Sequence, residues 1–232
     1  MTKPQQLLLD LPHRPALGRD DFLVTGSNSA AVSLIDEWPQ WPAHAAILLG
    51  PKGSGKSHLS NVWQQASHAA VLPLSELKTE NVASLMASKA LVLEDATPNQ
   101  FEQTALFHAL NHARQIQGHI LITAEREPKS WNVSLPDLAS RLGALPIVHI
   151  LPPDDPLLRG VLVKLFADRQ ITVDEALVSF VLARMPRSLQ AAQILVAAVD
   201  RQALTTKAEI TRPFVSKIMG QVFDSGLFNQ EH

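Results

Sequence analysis

Apolar runs and polar turns alternate along most of the chain, and the spacing changes character once. Residues 1–20 carry Pro4, Pro12 and Pro15 with no helical period, which predicts an extended arm. The arm is not polar throughout: Leu7, Leu8, Leu9 and Leu11 need an apolar surface to meet. A short helix is expected over 29–37, ended near Pro39. The apolar run Ala45–Leu49 leads into a glycine-rich turn, as a buried parallel strand would. Lys56–Ser67 then reads as a helix. Residues 70–74 are a second strand candidate, with Pro73 counting against it. Residues 90–93 form a third, and 119–123 and 146–151 two more. Between them 100–117 is amphipathic, with Phe101, Ala105, Leu106, Ala109, Leu110 and Ala113 near one face and Gly118 as its stop. Pro152 and Pro153 end this regime. After them the pattern is helical only, over 155–168, 174–184, 188–203 and 212–221.

Alternating strand and helix up to residue 151 predicts an α/β layer built on a parallel sheet. The expected organisation is an arm over 1–20, an α/β nucleotide-binding domain over 21–152 and a small all-helical lid over 153–232.

Gly50, Pro51, Lys52, Gly53, Ser54, Gly55, Lys56 and Ser57 fit the phosphate-loop pattern G-x-x-x-x-G-K-[ST] without a gap, and His58 follows. Glycines let the backbone turn its amides toward phosphate oxygens. Lys56 can reach the β- and γ-phosphates, and Ser57 can hold a hydrated magnesium ion. The helix that begins there adds the positive end of its dipole. The required context is present, an apolar strand before and a helix after. Leu91-Val92-Leu93-Glu94-Asp95 is a strand ending in two acids, which suits a Walker B element. One carboxylate would stand near the magnesium and another would orient water, making Glu94 and Asp95 the catalytic and metal candidates beside Ser57. The expected ligands are ADP or ATP with Mg2+.

Composition narrows the classes that remain. The chain has 232 residues, of which 46% are apolar, so it can bury a large core. Without cysteine, disulfides, thiolate metal sites and thiol nucleophiles are excluded. The formal net charge of -2, with no basic run, argues against DNA binding through bulk charge. The opening residues do not read as a signal peptide, and no apolar stretch approaches the ~18 residues of a membrane span. A soluble cytoplasmic protein is expected. His108 and His112 lie four apart without an evident third ligand, and Ser57 has no His or Asp partner at a triad spacing.

These residues resemble the DnaA-related AAA+ family, and within it the Hda-like regulators, over nearly the whole chain. The segment 22–28, with Phe22 and Leu23, resembles the family's entry segment near the adenine. Leu121-Ile122-Thr123-Ala124 is similar to the sensor 1 strand, which makes Thr123 a nucleotide-site candidate. Leu135-Pro136-Asp137-Leu138-Ala139-Ser140-Arg141-Leu142 resembles the segment carrying the arginine finger, and Arg187-Ser188-Leu189-Gln190 the lid segment carrying the sensor 2 arginine. Thr211-Arg212-Pro213-Phe214-Val215 resembles the Hda-type ending. Glu94 departs from the family's usual Asp and is compatible with slow turnover. The initiator of this family continues into a helix-turn-helix reader. Here 232 residues leave no room for one, so the resemblance implies its engine without direct sequence-specific DNA binding.

The resemblance gives two arginines and the arm a role. A guanidinium at Arg141, supplied to a neighbouring subunit, would neutralise charge on a transferring phosphoryl group. Arg187 would reach the nucleotide of its own subunit, with Arg184 a less favoured neighbour. Gln6, Leu7, Leu8, Leu9, Asp10, Leu11 and Pro12 resemble the glutamine-and-leucine peptides that dock on the replication sliding clamp, anchored by either Gln5 or Gln6. The implied function is a regulator of replication initiation that is tethered to the DNA-loaded clamp. It would promote hydrolysis of ATP on DnaA through Arg141 and so prevent over-initiation. An autonomous ATPase of the helicase-loader or remodelling type is the alternative, and a passive adaptor between clamp and DnaA a third. Self-association into a homodimer or homo-oligomer stays open.

Overall fold

The computed structural model describes residues 23–206 and 208–224. The arm and Phe22 lie outside the described residues, so the clamp-binding expectation has no structural counterpart among them.

Five parallel strands form one sheet in the order β2-β3-β4-β1-β5. They are β1 (Ala45–Leu49), β2 (Ala70–Pro73), β3 (Ala90–Ala96), β4 (His119–Ala124) and β5 (Ile147–His149). The central strands alternate between two cores, as a period of two requires. Ala45, Ile47, Leu49, Leu91, Leu93, Ile120 and Ile122 face one core; Ala46, Leu48, Ala90, Val92 and Leu121 face the other. On the first face lie α3 (Val82–Leu85), α4 (Gln103–Gln115) and α5 (Pro136–Gly143) with Trp131. On the second lie α1 (Ser29–Asp36) and α2 (Lys56–Ser67), with Trp41 stacked on Trp63 at a centroid separation of 5.1 Å. Buried on both sides, β1 has no polar position, which is why it reads as a continuous apolar run. β2 tolerates Pro73 because it is an edge strand that ends there.

Beyond Pro153 the described elements are helices: α6 (Asp155–Ala167), α7 (Glu175–Leu182), α8 (Leu189–Thr206) and α9 (Arg212–Met219), followed by a π-helical turn over Gly220–Asp224. They bury their own core, including Leu162, Phe166, Val181, Leu195, Val196, Val199 and Val215. Asp154 and Asp174 fix the starts of α6 and α7 by accepting from the N–H groups of Leu157 (2.9 Å) and Leu177 (2.6 Å). Among the described residues no helix is long and apolar enough to cross a membrane.

The site is positioned by strand order. β1 lies between β4 and β5, so the chain leaves it on one side and returns on the other. A crevice opens at such a switch point, beyond the carboxyl ends of the strands.

Candidate functional site

Gly50 leaves β1 and is tied to both neighbouring strands. Its N–H donates to the Ala124 carbonyl (3.1 Å), and Ile150 N–H donates back to Leu49 (2.7 Å). A Cβ on Gly50 would stand 2.8 Å from the Ile150 carbonyl oxygen, so only glycine fits between them. The loop then turns through left-handed glycines, Gly53 at φ 73° and Gly55 at φ 105°. Gly55 precedes α2, whose first turn holds no acidic residue, so its free N–H groups and dipole face an open cavity. Lys56 is buried, and its Nζ donates to the carbonyls of Gly50 (2.8 Å) and Pro51 (3.0 Å).

The cavity measures ≈ 830 Å³. It is lined by Lys52, Gly53, Gly55, Lys56, Ser57, His58 and Asn61 from the loop and α2, by Asp95 to Pro98 after β3, by Glu125 and Arg126 after β4, and by Leu189, Gln190 and Gln193 of α8. Burial lowers the Lys56 ammonium below its ordinary value, against the opposing pull of Glu125, Asp95 and Glu94.

The acidic pair owes its placement to a β-bulge. Leu93 pairs with Ile122 and Ala96 with Ala124, so Glu94 and Asp95 together oppose the single residue Thr123. Asp95 takes φ 54°, and its N–H donates to the Thr123 hydroxyl (3.1 Å), which is itself buried. The bulge presents Asp95 to the cavity and leaves Glu94 half-buried, where the Ser57 hydroxyl donates to its carboxylate. Burial and then the Asp95 charge raise Glu94 above the ordinary carboxylate value; the Ser57 hydrogen bond and Lys56 oppose them.

The donor set fits a nucleoside phosphate with magnesium. The loop amides and Lys56 suit phosphate oxygens, and the Ser54 hydroxyl is buried without a partner in the same turn. Ser57, Glu94 and Asp95 could hold a hydrated Mg2+. Among the described residues no cluster of three or more His, Asp or Glu closes into an all-protein metal cage; Mg2+ characteristically relies on water and phosphate instead.

Other expected residues stand elsewhere. Arg141, in the last turn of α5, lies over the Phe107 ring (5.1 Å to the centroid) and does not line the cavity. Thr123 does not line the cavity; its hydroxyl accepts from the Asp95 N–H. Leu23 packs against α6: a Cβ on Gly160 would stand 2.6 Å from its Cδ1. Arg187 is not brought to the cavity. It donates to Asp155 Oδ1 (2.7 Å) and the Pro153 carbonyl (3.4 Å), facing a smaller cavity of ≈ 410 Å³. Arg184 lies over Phe180, 4.2 Å from its centroid.

Glu125, Arg126, Asn61, Gln190 and Gln193 escape the sequence reading. A signal existed for three of them. Glu125 and Arg126 directly follow the apolar run of β4, and charged residues at the ends of adjacent parallel strands share one crevice. Asn61 lies four residues after Ser57 on the same helix face. The glutamines needed the lid's tertiary placement.

Residues 159–219 match the family model described as the lid domain of Hda. Domain III of the replication initiation protein DnaA from Thermotoga maritima shares the fold with a TM-score of 0.73 at 20% identity, over 91% of this chain and 98% of that one. AMPPCP-bound DnaA from Aquifex aeolicus gives a TM-score of 0.67 at 14% identity, over 83% and 67% of the two chains. RuvB from Thermotoga maritima gives 0.68 at 17%, over 91% and 74%. The five-stranded parallel sheet with its phosphate loop thus has the fold of these DnaA and RuvB chains, and the helices over residues 159–219 match the lid domain of Hda.

Proposed function

We propose that the protein is a nucleotide-bound regulator of replication initiation that acts on DnaA. The observation that carries this reading is the Hda-type lid over 159–219, set on a fold shared with domain III of the initiator. In this reading ADP or ATP lies against the phosphate loop, with Lys56 toward its phosphates and Ser57, Glu94 and Asp95 holding magnesium through water. The bound nucleotide shapes the docking surface. DnaA carrying ATP docks beside it, and Arg141 completes the active site at that junction. Its position supports the role: an arginine outside its own cavity, resting on an aromatic ring, is available to a neighbour's phosphates. The arm over Gln6–Pro12 tethers the protein to the sliding clamp on DNA, so that hydrolysis follows clamp loading and suppresses a second initiation.

The test is hydrolysis of ATP pre-bound to DnaA, in the presence of clamp loaded on DNA. Wild type is expected to accelerate it, while Arg141→Ala and deletion of residues 6–12 each lose the effect, on the order of 10³-fold or more for the finger if it acts as trans arginines do. Absence of acceleration by wild type would reject the finger mechanism. A second reading, an autonomous ATPase, draws support from the chain's own phosphate loop and bulged acidic pair. Robust turnover by the chain alone, unaffected by loss of the arm, would favour it.

A further inference from the structure

The lid and α5 are seated in different ways. The lid meets the phosphate loop through a main-chain bond, Leu189 N–H donating to the Gly53 carbonyl (3.1 Å). α5 is reached through residues 132–135, which belong to no helix or strand, and Leu135 at its start provides no side-chain cap. A side chain from another helix takes that place. Gln103, the first residue of α4, turns its carboxamide onto this stretch. Its Oε1 accepts from Ser134 N–H (2.9 Å), the Ser134 hydroxyl (3.0 Å) and Leu135 N–H (3.2 Å). Its Nε2 donates to the Asn132 carbonyl (3.2 Å). Phe107 follows four residues later on the same face of α4 and carries the Arg141 guanidinium, 5.1 Å from its ring centroid. α4 therefore holds α5 at both ends, with Gln103 before its first turn and Phe107 under the arginine of its last.

From this geometry we infer that Gln103 is a positioning residue for Arg141: it fixes the entry to α5, and with it the place from which the guanidinium reaches a neighbour's phosphates. The inference rests on the finger reading of Arg141. α5 has 8 residues and buries only Leu138 and Leu142. Two buried leucines decide which face of so short a helix turns inward, but apolar contact is non-directional and does not set its position along the axis. Directional hydrogen bonds at one end do. A transferring phosphoryl group is sensitive to that position, because a displacement of ~1 Å costs on the order of 10²-fold in rate. The requirement falls on the acceptor, since three of the four bonds end on Oε1. A carboxylate at 103 would serve there; a thioether is too weak an acceptor. The earlier part of the connection is anchored separately. The buried Trp131 donates from Nε1 to the Arg126 carbonyl (2.8 Å), so the wall of the nucleotide cavity does not depend on Gln103.

The experiment measures hydrolysis of ATP pre-bound to DnaA, with clamp loaded on DNA, over a range of concentrations of the full chain. Gln103→Met keeps the length of the side chain and removes its hydrogen bonds; Gln103→Glu keeps the acceptor. Gln103→Met is expected to lower the maximal rate roughly 10- to 100-fold, with the half-saturating concentration within about twofold of wild type. Gln103→Glu restores most of the rate, and ADP affinity is unchanged in both. In an Arg141→Ala background Gln103→Met costs nothing further, because no guanidinium is left to place. Amide exchange at Ser134 and Leu135, read without DnaA, quickens in Gln103→Met and not in Gln103→Glu, and thermal melts show that the fold is kept. A wild-type maximal rate or unchanged exchange in Gln103→Met overturns the inference. So does a second full loss in the double variant, or a defect confined to the half-saturating concentration, which would make Gln103 part of a docking surface only. A wild-type chain that gives no acceleration overturns the finger reading and the inference with it, while the exchange rates still report the hold on α5.

Discussion

Glu94 shows how a side chain placed for a candidate role also carries a cost in stability. It sits half-buried behind Ser57, next to a second acid, and its carboxyl stands above the ordinary value of 4.5. The unfolded chain gives up this proton at lower pH than the folded one. Its contribution to stability is thus fully present below the ordinary carboxylate value and is lost as pH rises through the folded value. Glu94→Gln keeps the shape and removes the charge. We expect the variant to melt above wild type at about pH 8, with the gap closing toward about pH 4, as linkage requires. Melting curves across that range check it, and a gap that widened on acidification would contradict the assignment of burial as the dominant cause. Lys56 runs the other way: its cost is present while both states are charged and is relieved as pH rises through its lowered folded value toward 10.5.

At the scale of elements, the bulge in β3 is the feature that turns a strand end into a site. It depends on the Thr123 hydroxyl, which accepts the Asp95 N–H. Thr123→Val is nearly isosteric and leaves that donor without its partner, so it should cost about 1–3 kcal/mol in urea denaturation. An unchanged midpoint would mean that the β-ladder alone holds the bulge. Here the limits of sequence reading are physical. The apolar run predicts a strand over 90–93, and the Walker B reading carries it to Asp95; β3 ends at Ala96, where register against β4 and not polarity fixes the last residues. The phosphate loop was legible in full, since its glycines are dictated by local backbone conformation. The period gave α4, α6 and α8 to within three residues at each end. It did not give α5, although Pro136 at its start, Asp137 in its first turn and Leu138 with Leu142 on one face are all helix signals. Eight residues were too few for the pattern to stand out. The resemblance singled out Arg187, but that Asp155 engages it away from the larger cavity depends on tertiary placement, which no local pattern carries.

At the scale of the whole molecule, the two cores of the sheet and the lid's own core flank a polar seam that contains the candidate site. Arg141 and the lid contact lie on different elements: α5 covers the sheet face, while α8 closes on the phosphate loop. On the proposed function, the element that would hold the nucleotide and the one that would act on a neighbour's are thereby kept apart. The seam itself includes a link between main-chain atoms, Leu189 N–H to the Gly53 carbonyl. Its amide proton can trade for solvent deuterium only while that bond is open, so position 189 is a built-in clock for opening of this contact. Site-resolved exchange should run slower there with ADP bound than without, while amides far from the phosphate loop, such as that of Leu204 near the end of α8, keep their rate. An amide at 189 that exchanged at the same rate with and without nucleotide would show a lid that stays shut regardless of what it covers, or one that lifts as readily over a ligand as over water.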